Sequence, residues 1–302
     1  MEEAAQTMDF AEATEFLSFY DWKDLFLETR RLDQPDGRQL FQYRVSDNEF
    51  GLLEDFLRSK IAALLCNNNF QYISTRPGFS DLFVMYGAEW WRRRYDGSGF
   101  SWEPILSDLN AASIEWHQYD RSECVRQGLA GWKLQVLQTS GFKFLGAVAV
   151  QGGLPMRLLA EARGKVGHAI SLVLRQAKTN SVSYQELQGW VESVQTILPK
   201  SYRQAVIFNL LADIAWTVLD LKQRAGLNSG QDAIAQLNRS IPDWRDKFPV
   251  RVDDNHARSL IEQLVREAAT IRVQRQKVAL PVERALIRDE EGIWQIRSLI
   301  DL

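Results

Sequence analysis

The chain has 302 residues and a formal charge of -3, from 36 Lys+Arg against 39 Asp+Glu, and it is 45% apolar and 25% charged. These figures fit a folded globular chain and exclude collagen-like, wholly disordered and strongly basic histone-like proteins. One number stands out, the 10 tryptophans.

From Asp9 to Arg31 the spacing of Phe10, Phe16, Leu17, Tyr20, Leu25 and Phe26 predicts a helix, and Pro35-Asp36-Gly37 a turn. A second helix is predicted from Ser46 to Cys66, opened by a capping box of Ser46 with Glu49 and stopped by Asn67-Asn68-Asn69. After Arg76-Pro77-Gly78 a third helix runs from Ser80, a candidate N-cap, to Asp96-Gly97-Ser98-Gly99. A short helix follows over Ser101 to Leu109, with Ser101 as cap and Pro104 tolerated early. Asp120 to Thr139 has a helical pattern that Gly128 and Gly131 weaken.

Gly141 to Gly153 fits either a strand or a buried small-residue helix, and Gly152-Gly153-Leu154-Pro155 is a break. Further helices are predicted over Leu158 to Lys178, Ser183 to Leu198 (capping box with Glu186), and Ser201 to Ala225, stopped by Gly226. The helix over Ser201 to Ala225 is apolar almost all round and should be buried on most sides. Gly230 to Asn238 is a short segment, Pro242 and Pro249 bracket a loop with Trp244, and Asp253 to Gln276 is a long helix. Val282 to Leu302 holds two β-prone runs about Asp289-Glu290-Glu291-Gly292.

The expected fold is therefore mainly α, a multi-helix orthogonal array of about ten helices with a C-terminal β-hairpin. Residues 1–280 form the helical domain, with a sub-boundary near 141–155. Residues 281–302 start a further domain. The chain stops inside an apolar run, so it is expected to be the N-terminal piece of a longer protein.

Two cysteines, Cys66 and Cys124, are too few for a disulfide framework or a thiolate zinc site, and read as reduced core thiols. The acidic N-terminus lacks the basic and apolar regions of a secretory signal. The longest apolar run, Leu145 to Val150, is far short of the roughly 20 residues that span a membrane. A cytoplasmic protein without membrane contact is expected. Net charge is uneven: an acidic start over residues 1–76 precedes a mildly basic stretch over 77–180.

Most chemistries lack a foothold. The only histidines are His117, His168 and His256, with no H-E-x-x-H or C-x-x-C, so no metal is expected, nor any cofactor. There is no phosphate-binding glycine loop and no G-x-S-x-G elbow. All-helical HEPN-type ribonucleases are known by an Arg followed closely by a His, and two such pairs occur, Arg163 with His168 and Arg251 with His256. Arg would hold the scissile phosphate and His act as general acid or base. In a chain this rich in arginine such spacings arise by chance, and Gly164 and Gly167 interrupt the first pair. The nuclease is the alternative reading.

The densest feature is Glu89-Trp90-Trp91-Arg92-Arg93-Arg94-Tyr95 with Phe100 and Trp102 after it. Arginine beside aromatics can hold phosphates and stack bases. Trp91, Arg92, Arg93, Arg94, Tyr95 and Trp102 are the candidates for a nucleic-acid or partner-binding face. The competing reading is a core helix whose Trp residues fill space and whose Arg heads reach solvent. A second basic stretch, Arg258, Arg266, Arg272, Arg275 and Lys277, is interleaved with Glu262 and Glu267 and reads as a solvated face.

The run Tyr86-Gly87-Ala88-Glu89-Trp90-Trp91-Arg92-Arg93-Arg94-Tyr95-Asp96-Gly97, with Trp102-Glu103-Pro104-Ile105 and Gly152-Gly153-Leu154-Pro155, resembles the N-terminal region of large bacterial proteins of defence islands, as in Druantia-type anti-phage systems. The resemblance implies a cytoplasmic component working with a helicase partner and foreign DNA or RNA. It transfers no catalytic residue. The expected function is a non-catalytic helical interaction module of such a protein.

Overall fold

The computed structural model describes residues 18–66, 76–98, 101–112, 114, 116–134, 144–177, 182–251, 253–271, 282–288 and 294–300. Among them are eleven α-helices: α1 (Phe19–Glu28), α2 (Asp47–Cys66), α3 (Pro77–Arg94), α4 (Trp102–Asp108), α5 (Gln118–Gly131), α6 (Phe144–Gly152), α7 (Met156–Gln176), α8 (Tyr184–Ser193), α9 (Ala205–Ala225), α10 (Ala233–Ser240) and α11 (Asn255–Thr270). Short 3-10 turns lie at Leu40–Tyr43, Gln195–Ile197, Lys200–Tyr202 and Trp244–Lys247.

Local chemistry sets these boundaries. Both expected capping boxes form. The Ser46 N–H donates to Glu49 at 2.8 Å and the Glu49 N–H to Ser46 Oγ at 3.2 Å. The same pair of bonds joins Ser183 and Glu186, at 2.7 and 3.2 Å. A third box, Ser18 with Asp21, opens α1; residues 9–17 of the expected first helix lie outside the described ones. Helix α3 starts at Pro77, not after Ser80, because proline suits the first helical position and Ser80 is buried inside. The open choice over residues 141–153 falls to a helix, α6. Helix α9 begins only at Ala205, after the Lys200–Tyr202 turn, and ends on Gly226 at φ 62°. Asp254 caps α11 by accepting the N–H groups of His256 and Ala257 at 2.7 and 2.9 Å.

Helix α3 is the centre of the first half. Every residue from Gly78 to Arg92 is buried, and α1, α2, α5, α6 and α7 all pack on it. The two glycines that weaken the helical pattern of α5 have a purpose here. A methyl group on Gly128 would lie 2.3 Å from the Ser80 carbonyl oxygen, and one on Gly131 would lie 1.9 Å from Asp81 Oδ1. The absent side chains let α5 approach the α3 backbone at Gly128 and leave room for the Asp81 carboxyl at Gly131. The second half packs α7 against α9 and α11, with α8 and α10 on α9. One contiguous buried cluster runs through both halves, from Trp22 to Ala269.

The mainly α expectation stands, but its form is corrected. Eleven α-helices occur among the described residues, in keeping with about ten, and between residues 18 and 271 no strand occurs among the described residues, so a hairpin is no part of the helical fold. Beyond it, Val282–Arg288 and Trp294–Ile300 pair antiparallel as a two-stranded ribbon, with Val282 opposite Ile300. Helix α9 is buried on most sides, as its pattern predicts, with Trp216 on its outer face 43% exposed, whereas Trp22 and Trp132 are fully enclosed. Among the described residues no helix is long and apolar enough to cross a membrane.

Candidate interaction site

The Trp/Arg run sits at the C-terminal end of α3, and most of it faces inward. Trp91 is buried, donates its indole N–H to the Gly153 carbonyl at 2.8 Å, and stacks on Tyr95 with ring centres 4.2 Å apart. Tyr95 is buried as well, and burial pushes its hydroxyl up to about 12. Trp102 is half-buried and stacks on Phe83. Trp91 and Tyr95 are core and closed to a base, and Trp102 packs against the core at its edge. The apolar character of α3 on all sides, rather than a groove, explains the local excess of tryptophan.

The three arginines differ from one another. Arg92 is 2% exposed and paired at 2.5 Å with Glu89, which is itself fully buried. Burial pulls its guanidinium below the ordinary range, with Glu89 acting the other way. A ligand cannot reach it. Arg93 donates to the same Glu89 oxygen at 2.8 Å, to the Val45 carbonyl at 2.5 Å, and to Asp47. Arg94 bonds the buried Glu54 at 2.5 Å and Asp108 at 2.7 Å, and Asp108 also receives the Trp90 indole N–H at 2.6 Å. Burial would lower the Arg94 pKa, but its carboxylate bonds outweigh that and hold it raised. Arg93 and Arg94 keep a face on an open cleft. So the expected contact surface is corrected: Trp91, Arg92 and Tyr95 are inside, and only the ends of Arg93 and Arg94 remain.

The two Arg–His pairs lie on α7 and about the start of α11. Arg163 and His168 are both exposed on α7. Five residues apart on a helix, they point about 140° from each other. Arg251 is held by Asp253, with its Nε at 3.0 Å, and by the Val45 carbonyl at 2.7 Å, while His256 is exposed in the first turn of α11. Among the described residues no group of three or more His, Cys, Asp or Glu could hold a metal ion.

The structure assembles two concavities that no sequence pattern announces. One, of about 590 Å³, is lined by Arg93, Arg94, Met156, Arg157, Ala160, Asp254 and His256. The other, of about 400 Å³, is lined by Arg44, Arg245, Asp253, Arg258 and Glu262. Both meet at the segment before and within the first turn of α11. Arg157 bonds Glu161 at 2.9 Å and approaches Asp96 at 3.8 Å. Arg245 pairs with Glu262 at 3.0 Å and lies over the Trp244 ring. Each cleft joins chain segments more than a hundred residues apart, so Arg44, Arg157 and Arg245 carried no signal in one dimension. The positive backbone angle of Arg44, φ 53°, is likewise invisible in sequence.

Comparison with known proteins finds a consistent partner for this architecture. Residues 7–154 match the model of the YjiT N-terminal domain, and residues 161–277 match that of the YjiT second domain. Protein YjiT of Escherichia coli (strain K12) is 27% identical over 268 residues, which covers 85% of this chain and 49% of that protein. The chain is similar to YjiT over most of its length. It spans about half the length of that relative. No solved structure matches it. The YjiT-like segments adjoin between residues 154 and 161, just after the 141–155 stretch. The 590 Å³ cleft lies across this junction, with Arg93 and Arg94 from the first segment and Asp254 and His256 from the second. Neither matched description names an anti-phage system.

Proposed function

We propose that this chain is a non-catalytic helical interaction module, contacting nucleic acid, a partner protein, or both. The observation that carries the reading is the pair of arginine-lined clefts along the junction of the two YjiT-like segments. Arg93, Arg94 and Arg245 are anchored there by carboxylates, which favours a rigid, preorganised contact face. The divergent directions of Arg163 and His168 favour binding over phosphate cleavage. The chain spans about half the length of protein YjiT.

The anti-phage role and the helicase partner belong to the same proposal and rest on the resemblance of residues 86–97, 102–105 and 152–155, and the cytoplasmic setting is part of the same reading. The test has two readouts. Single-stranded RNA and DNA incubated with the chain should stay intact; cleavage abolished by His168→Ala or His256→Ala would restore the nuclease alternative. Cells with the gene and its neighbours intact should plate phage less efficiently than cells with the gene deleted, and equal plating would remove the defence role.

A further inference from the structure

We infer that the 590 Å³ cleft between α3, α7 and α11 is a phosphate-binding site that holds the backbone of a nucleic-acid strand. This rests on the interaction-module reading and names its ligand. The lining presents three guanidiniums, Arg93, Arg94 and Arg157, and the His256 imidazole, with one lining carboxylate, Asp254; at the rim the guanidiniums also bond the partly exposed Asp47, Asp108 and Glu161, which a phosphate would displace. Arginine has five N–H donors and no acceptor, so the wall is donor-rich.

The lining acid is already engaged: Asp254 Oδ1 accepts two N–H groups of α11 as its N-cap. The helix end is therefore satisfied, and the side chains must do the recognising. Arg93 and Arg94 are fixed from behind by Glu89 and Glu54, which are buried, so little side-chain freedom remains to be lost on binding. Arg157 is the complement. Its side chain is 54% exposed, and its partners Glu161 and Asp96 are about as exposed. Such solvent-screened pairs are weak, and a phosphate can replace them.

A phosphate matches this wall better than a carboxylate does. It offers more acceptor oxygens and a higher charge to forks that come from three directions. A strand fits better than an isolated anion because the second arginine-lined cleft follows directly, across Asp253 and Arg258, and can take the next phosphates. Free nucleotide or inorganic phosphate shares the chemistry, and the experiment separates these sources.

The whole chain is titrated into a labelled single-stranded DNA oligonucleotide at about 50 mM salt and upward, with ATP and inorganic phosphate as competitors. The comparison protein is Arg157→Gln/His256→Gln, which alters two exposed side chains and should keep the wild-type melting temperature. The double variant should bind at least about tenfold more weakly, with the slope of log affinity against log salt reduced by about one for the lost Arg157 charge. If the double variant melts early, Arg157→Gln alone should still reduce the slope by about one. Displacement by ATP or phosphate at low concentration, with weak oligonucleotide binding, would support the phosphate site and overturn the strand. Equal binding by wild type and variant, or no binding of any of the three probes, would overturn the proposal. If affinity instead falls only in Arg44→Gln/Arg258→Gln, the contact face survives and this cleft is excluded.

Discussion

Helices α3 and α11 both carry arginines, and they use them in opposite ways. Helix α3 is enclosed on every side, and its charges answer to partners inside the protein: Arg92 and Arg93 share buried Glu89, and Asp81 holds Lys23 at 2.5 Å. Helix α11 is amphipathic. Ala257, Leu260, Ile261, Leu264, Val265, Ala268 and Ala269 form its buried face, and Arg266 lies in water with Glu262. A count of basic residues cannot tell these cases apart. What separates them is the burial of the carboxylate opposite, because an acid inside the protein must be matched while one in water need not be.

The difference can be broken at its strongest point by Glu89→Ala. This leaves Arg92 buried without its carboxylate, and such a loss costs about 3–5 kcal/mol. Chemical denaturation should show it as a shifted midpoint, and a change below about 1 kcal/mol would mean that Arg92 reaches solvent after all.

The second test uses Asp81. Burial pushes its carboxyl up to about 6 from an ordinary 3.8, against the pull of Lys23. Between these values the folded state holds more protons than the unfolded one, so this group's contribution to stability falls as pH rises from about 4 to 6 and then levels. Asp81→Asn should remove that slope while leaving the rest of the pH profile in place. An unchanged profile from pH 4 to 6 would show that Asp81 is as solvated as a surface carboxylate.

The smallest effect belongs to α11. Arg266→Gln breaks an exposed pair and should alter stability by less than about 0.5 kcal/mol, as the shift in melting temperature will show. A loss as large as that of Glu89→Ala would erase the contrast.

Much of the helical framework could be read from local chemistry. Ser46 with Glu49, Ser183 with Glu186, and Gly226 act within a few residues of themselves, so their bonds appear where the sequence places them. Gly128 and Gly131 misled for the opposite reason: their role depends on α3, some fifty residues earlier in the chain. The exposure of Trp216 could not be read, because a position in an apolar pattern says nothing about whether another helix covers it. The candidate site was legible at Arg93 and Arg94, and at His256 only as half of an Arg–His pair. Arg44, Arg157 and Arg245 join them through folding alone, and the tryptophans that drew attention to the region are its packing.

The Val45 carbonyl accepts hydrogen bonds from Arg93 at 2.5 Å and from Arg251 at 2.7 Å. It follows Arg44, a non-glycine residue in the left-handed region, where side chains crowd the backbone. One peptide oxygen thus ties together the two YjiT-like segments, and it stands between residues that border both clefts. Turning that peptide would release two charge-assisted bonds at once, so the clefts would change shape together rather than singly. The turn at residues 43–46 is in this sense a clasp, and a strand lying along the junction would report its state at both ends.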